Sequence, residues 1–117
     1  DEALVVKGGD LIVMNSQLNN TAGIGIKISA AAIVSLESVI IGAVNKGIEV
    51  NEASLLKASN TVITSAAIGI DVNGEEMRYG PSTVDLVKVD ATKAEKAITV
   101  GKGNTVNMDG KAVGPQK

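Results

Sequence analysis

Glu49 and Asp71 lie 22 residues apart, and Lys27 stands 22 residues before Glu49. If the fold sets such positions side by side, two carboxyl groups come within about 5 Å of each other. That is the arrangement glycoside and polysaccharide cleavage uses, with one carboxyl as acid and the other as base or nucleophile. The rest of the usual catalytic equipment is missing. Among 117 residues there is no His and no Cys, and Arg78 is the only Arg. Ordinary zinc and haem sites, thiol nucleophiles, imidazole bases and disulfides are therefore excluded. No catalytic residue, metal ligand or cofactor is assigned, and the Lys27, Glu49, Asp71 series reads first as a solvated ladder of charge. Lys57 and Asp85 read the same way, as a local pair worth little. Gly101-Lys102-Gly103 could present backbone amides to an anion, but the helix that such a cradle needs does not follow, so it reads as a plain turn. Binding chemistry gathers elsewhere. The stretch Glu75-Glu76-Met77-Arg78-Tyr79-Gly80-Pro81-Ser82 holds the single Arg, the single Tyr and one of two Pro. Arg and Tyr are enriched at interface hot spots, which makes Arg78 and Tyr79, with Glu75 and Glu76, the candidate partner-binding residues.

A repeat sets the frame for these residues. Gly25-Ile26-Lys27-Ile28, Gly47-Ile48-Glu49-Val50 and Gly69-Ile70-Asp71-Val72 share one small-apolar-x-apolar pattern at a period of 22. Ala3-Leu4-Val5-Val6 extends it backwards, and Ala97-Ile98-Thr99-Val100 extends it forwards after six additional residues. Eight residues after the anchor comes a second segment, from Leu11, Ile33, Leu55 and Thr105, and in the fourth copy from Thr83, where the six additional residues precede it. A third comprises Val39-Ile40-Ile41, Thr61-Val62-Ile63 and Val89-Asp90-Ala91, with Gln17-Leu18-Asn19 as its polar first copy. Alternation of apolar and polar residues is the signature of a strand with one buried face. Three short strands returning every 22 residues call for a solenoid whose coils bury their inward faces against one another.

The expected fold is all-β: a right-handed parallel β-helix of about five coils, one domain over residues 1–117 with 111–117 as a tail, and a loop inserted in the fourth coil. The hand is the one parallel crossovers take. Four inward columns are expected: Leu4, Ile26, Ile48, Ile70, Ile98; Val6, Ile28, Val50, Val72, Val100; Ile12, Val34, Leu56, Val84, Val106; and Met14, Leu36, Ala58, Leu86, Met108. An outward column then runs Val5, Lys27, Glu49, Asp71, Thr99. In the third strand Leu18, Ile40 and Val62 compete with Ile41 and Ile63 for the inward direction, a conflict that a bulge could reconcile.

The copy Ala97-Ile98-Thr99-Val100-Gly101-Lys102-Gly103-Asn104-Thr105-Val106-Asn107-Met108-Asp109-Gly110 resembles the coil pattern of pertactin-like bacterial autotransporter passenger domains, with an aliphatic strand, a Gly-x-Gly turn and a second strand. The resemblance extends loosely over residues 3 to 110 and implies a β-helix displayed at the bacterial cell surface, outside the cell. No Arg-Gly-Asp tripeptide, Pro-rich loop or membrane-inserted barrel accompanies it, so no adhesin residue is carried over.

Composition agrees with a packed, uncharged core. Val (15) and Ile (12) dominate 44% apolar residues, and Tyr79 is the sole aromatic. A net charge of −2 leaves no basic footprint for nucleic acid. No apolar run approaches the roughly twenty residues of a membrane span, and no signal segment is found, so the chain reads as a fragment or a processed chain. The expected function is a non-enzymatic scaffold or adhesin segment whose partner is a host-cell or matrix protein or a glycan. A polysaccharide-binding or polysaccharide-cleaving β-helix, and a solenoid that self-associates end to end, are the alternatives. The register makes a direct prediction: Ile48→Asp or Val50→Asp abolishes folding, because burying an unpaired carboxylate costs several kcal/mol, whereas Lys27→Ser barely shifts the melting temperature. Thermal unfolding followed by far-ultraviolet circular dichroism checks both.

Overall fold

A computed structural model describes residues 1–20, 22–73 and 80–114 of the chain. The first coil contains β1 (Glu2–Lys7), β2 (Asp10–Met14) and β3 (Gln17–Asn20), and the second β4 (Ile24–Ser29), β5 (Ile33–Glu37) and β6 (Ile40–Ala43). In the third, β7 (Lys46–Val50) is followed by β8 (Leu55–Ser65), which joins the second and third segments into one strand. β9 (Ile68–Val72) and β10 (Thr83–Asp90) form the fourth coil. β11 (Lys96–Val100), β12 (Thr105–Met108) and β13 (Lys111–Val113) complete the chain. None of the described residues is helical. Corresponding strands pair in parallel in two sheets, β1-β4-β7-β9-β11 and β2-β5-β8-β10-β12-β13, with β3 and β6 joining along β8. The chain is a parallel β-helix measuring 31 × 27 × 25 Å.

The core is a set of aliphatic columns. Ile26, Ile48, Ile70 and Ile98 stack in one, and Val6, Ile28, Val50, Val72 and Val100 in the next, all buried. Across from them Val34, Leu56, Val84 and Val106, then Leu36, Ala58 and Leu86, close the interior. β-branched side chains suit such a stack because each has one stiff rotamer that its neighbour can repeat. After the fourth-coil insertion the register returns intact, with Thr83 beside Leu55 and Val84 beside Leu56.

The first coil departs from the expected register. Leu11, not Ile12, pairs with Val34, and Val13, not Met14, pairs with Leu36. Ile12 and Met14 face solvent at 69% and 53% exposure. The cause is one missing residue: Val6 to Leu11 spans five positions where Ile28 to Val34 spans six. A slip of one residue turns every side chain of a strand to the other face. The same offset carries Leu18 into the column of Ile41 and Ile63. In the third strand Val39, Ile41, Thr61 and Ile63 are fully buried and Ile40 is exposed, which settles the inward direction. A bulge does occur between Ile41 and Gly42, one step beyond the contested positions. The tail also differs, since β13 folds back antiparallel on β12.

The position missing from the first coil is occupied elsewhere by Ala32, Ser54, Ser82 and Asn104, which link the corners of successive coils. The Ala32 amide donates to Ser54 Oγ (3.2 Å), the Ser54 amide to Ser82 Oγ (3.1 Å) and the Ser82 amide to Asn104 Oδ1 (2.7 Å). These side chains are buried, so each bond satisfies an amide that water cannot reach. At the bend before the third strand a single left-handed residue recurs, as Asn15, Ser38, Asn60 and Lys88, with φ between 48° and 55°. Asn tolerates that conformation better than Lys does.

Close packing explains the anchors. A Cβ on Gly25 would lie 2.6 Å from the Gly47 carbonyl oxygen, one on Gly47 2.6 Å from that of Gly69, and one on Gly69 2.5 Å from that of Ala97. Ala97 closes the column on the edge strand β11, with its side chain exposed. Gly47→Ala should therefore destabilise the fold by about 1–3 kcal/mol, as forced overpacking does, whereas Ala97→Gly stays within about 1 kcal/mol. Chemical denaturation of the two variants tests the contrast.

Candidate functional site

The outward column runs Val5, Lys27, Glu49, Asp71, Thr99 along β1, β4, β7, β9 and β11, as its 22-residue spacing implies. Like charges on adjacent coils repel, so a Glu directly over an Asp needs compensation. Lys46 supplies it. Its Nζ lies 2.8 Å from Glu49 Oε1 and 2.7 Å from Asp71 Oδ2, bridging the two coils. Lys27 approaches Glu49 Oε2 at 3.9 Å, and Asn51 Nδ2 donates a long hydrogen bond of 3.4 Å to the same oxygen. The Thr99 hydroxyl donates to Asp71 Oδ1 at 2.7 Å.

Lys46 was not visible as part of this group from strict alternation, which assigns it to the same face as Ile48. Its side chain nonetheless reaches Glu49 and Asp71 on the outer face. The position directly before the small anchor is the signal in the sequence: it is Ile24 and Ile68 in two coils but a charged Lys46 and Lys96 in two others.

The electrostatics follow from partial burial. Desolvation would lower the Lys46 pKa, but hydrogen bonds to Asp71 and Glu49, reinforced by their negative charges, outweigh it and hold the group above its ordinary 10.5. Glu49, only 7% exposed, is held in its ion pair. Both acids are thus committed: each accepts a bond from Lys46, and each has a second partner. Among the described residues no group of three or more Asp or Glu is arranged to hold a metal ion.

Beside this cluster lies a groove of about 440 Å³ on the outer side of the first three coils, reaching Asn73 of the fourth. Val5, Lys7, Lys27, Ser29, Asn51 and Glu52 line it. Asn51 Oδ1 is buried there without a hydrogen-bond donor. A second, smaller groove of about 290 Å³ on the other sheet runs past Ile12, Ser35, Lys57, Asp85 and Val87. Lys57 and Asp85 pair in register but are not among the ion pairs of the described residues. Their expected local pairing is therefore not made. The loop candidates Glu75, Glu76, Arg78 and Tyr79 lie outside the described residues. The Gly101-Lys102-Gly103 segment is a turn between β11 and β12, as its glycines suggest.

Compared with known proteins, the chain matches no family model, no curated protein and no solved structure.

Removing the bridge tests the electrostatic account. Lys46→Met leaves Glu49 and Asp71 adjacent without their shared cation, and should cost on the order of 2 kcal/mol. Because the Lys46 pKa is raised by folding, its stabilisation is complete below the ordinary lysine value and is lost as pH rises through the higher folded value. Unfolding curves of the parent and Lys46→Met should accordingly converge in strong alkali and stand apart at neutral pH.

Proposed function

We propose that the chain is a non-enzymatic segment of a bacterial surface protein of the pertactin-like autotransporter kind, a rigid β-helix that presents binding features to host-cell or matrix partners. The observation that carries this reading is the commitment of Glu49 and Asp71 to Lys46, Thr99 and Asn51. A hydrolase or lyase on this face would need one of the two acids free to exchange a proton. What remains is a stack of aliphatic columns with structural hydrogen bonds at its corners, which suits a spacer or stalk. The parallel β-helix and the glycine-turn coil pattern support the autotransporter likeness.

The fourth-coil loop is the first contact surface in this reading. The register on both sides closes without it, so it is free to vary on a rigid scaffold, where binding residues tend to sit. Tyr79 offers a flat amphipathic ring, Arg78 a forked donor, and Glu75 and Glu76 disfavour acidic partners such as nucleic acid or an anionic membrane. End-to-end self-association draws less support, because β13 already occupies the outer edge of β12.

Two measurements test the proposal. Incubation with neutral and acidic polysaccharides should give no depolymerisation; reproducible cleavage that is lost in Glu49→Gln or Asp71→Asn overturns the non-enzymatic reading. Shortening the loop to four residues between Val72 and Thr83, with Ser82 kept as the last of them, should leave the melting temperature unchanged or slightly higher, while this variant and Arg78→Ala/Tyr79→Ala bind host cells or matrix proteins less than the parent. Equal binding by all three removes the loop from the function.

A further inference from the structure

We infer that the groove over the first three coils is a binding site for a neutral glycan, a contact separate from the fourth-coil loop; the inference rests on the adhesive reading and names a ligand class for it. Charge comes first. Lys7 and Lys27 share the groove with Glu2 and Glu52, so the site carries both signs in equal number and exerts no net pull on an anion or a cation. A strongly charged partner would be attracted by one pair and repelled by the other.

The hydrogen-bonding inventory comes second. Ammonium groups and the Asn51 amide donate, carboxylates accept, and Ser29 does both. A sugar hydroxyl, which also donates and accepts, can use every one of these partners, whereas a phosphate or carboxylate could use only the donors. Val5, 46% exposed between these polar groups, offers an apolar surface of the size of a sugar ring's C–H face. A cavity of about 440 Å³ falls within the range of small-molecule sites, roughly 300–1,000 Å³.

Asn51 supplies the third argument. A buried acceptor without a donor costs free energy and calls for an explanation. Among the described residues Asn51 Oδ1 is such an acceptor, its carboxamide lines the groove, and the bond its Nδ2 makes to Glu49 is long at 3.4 Å. Turning the carboxamide to bring Oδ1 out to the groove, in exchange for that long bond, would let a ligand hydroxyl supply a donor. Nothing comparable occurs in the smaller groove on the other sheet, whose lining includes Lys57 and Asp85.

An array of neutral oligosaccharides printed beside sulfated and uronic-acid glycans tests the site, with amide chemical shifts of the labelled protein locating any ligand bound. Binding of at least one neutral oligosaccharide is expected, with shifts at Lys27, Ser29 and Asn51. Asn51→Ala should weaken that binding about tenfold or more, equivalent to about 1.4 kcal/mol, while Lys57→Ala leaves it unchanged. Val5→Ser, at an exposed position, is the second variant should Asn51→Ala fail to fold, and it should weaken binding too. Binding confined to anionic glycans, no glycan binding, or binding indifferent to the groove variants overturns the inference. Enzymatic removal of neutral glycans from target cells separates the two proposals: undiminished adhesion sinks the glycan site and leaves the adhesive reading standing, whereas no adhesion to intact cells sinks the latter.

Discussion

In a parallel ladder every residue stands about 4.8 Å from its counterpart on the next coil, so each column must tolerate its own kind as a neighbour. Aliphatic columns meet that requirement easily, and Ile over Ile or Val over Val is the repeated solution in this core. Backbone columns meet it by omission: at Gly25, Gly47 and Gly69 the next carbonyl leaves no room for a methyl group. Charged columns meet it least well. Glu49 over Asp71 is sustainable because Lys46 enters from a neighbouring column and Thr99 and Asn51 take up remaining oxygens. The geometry that makes the fold so regular also produces the most organised polar group on its surface, and that group is organised for cohesion.

This constraint decides what could be read before the structure. Columns through Ile48, Val50 and Leu56 were legible, since Glu49 separates the first two, and Val84 and Val106, which stack with Leu56, have polar neighbours on both sides, so a single phase satisfies the pattern. Leu11-Ile12-Val13-Met14 offers four consecutive apolar residues, so either phase looks buried, and the deleted corner residue that chooses between them carries no mark of its own. Val39-Ile40-Ile41 is ambiguous for the same reason. At the candidate site, the adjacency of Glu49 and Asp71 followed from their spacing. Lys46 did not, because strict alternation assigns it to the face of Ile48, and the orphaned oxygen of Asn51 depends on atomic packing that periodicity does not encode.

Polar satisfaction is uneven over the surface. The corner ladder from Ala32 to Asn104 is fully bonded, whereas Asn51 Oδ1 has no donor among the described residues, and Val5, Ile12 and Met14 of the first coil are exposed. Irregularity in the first coil thus has two effects: it weakens the local fit and it creates relief on an otherwise uniform surface.

The hydrogen bonds through Ala32, Ser54, Ser82 and Asn104 all point one way, each coil's amide donating to the coil that follows. Asn104 ends the series by donating back to the carbonyls of Val72 and Gly101. Since each coil of a solenoid is held chiefly by its neighbours, the coil without a link is the cheapest to detach. The first coil is that one, and at the far end β13 clamps the last strand. Along the described residues the corner ladder is therefore a fastening with one gap, and that gap lies between the first coil and the second.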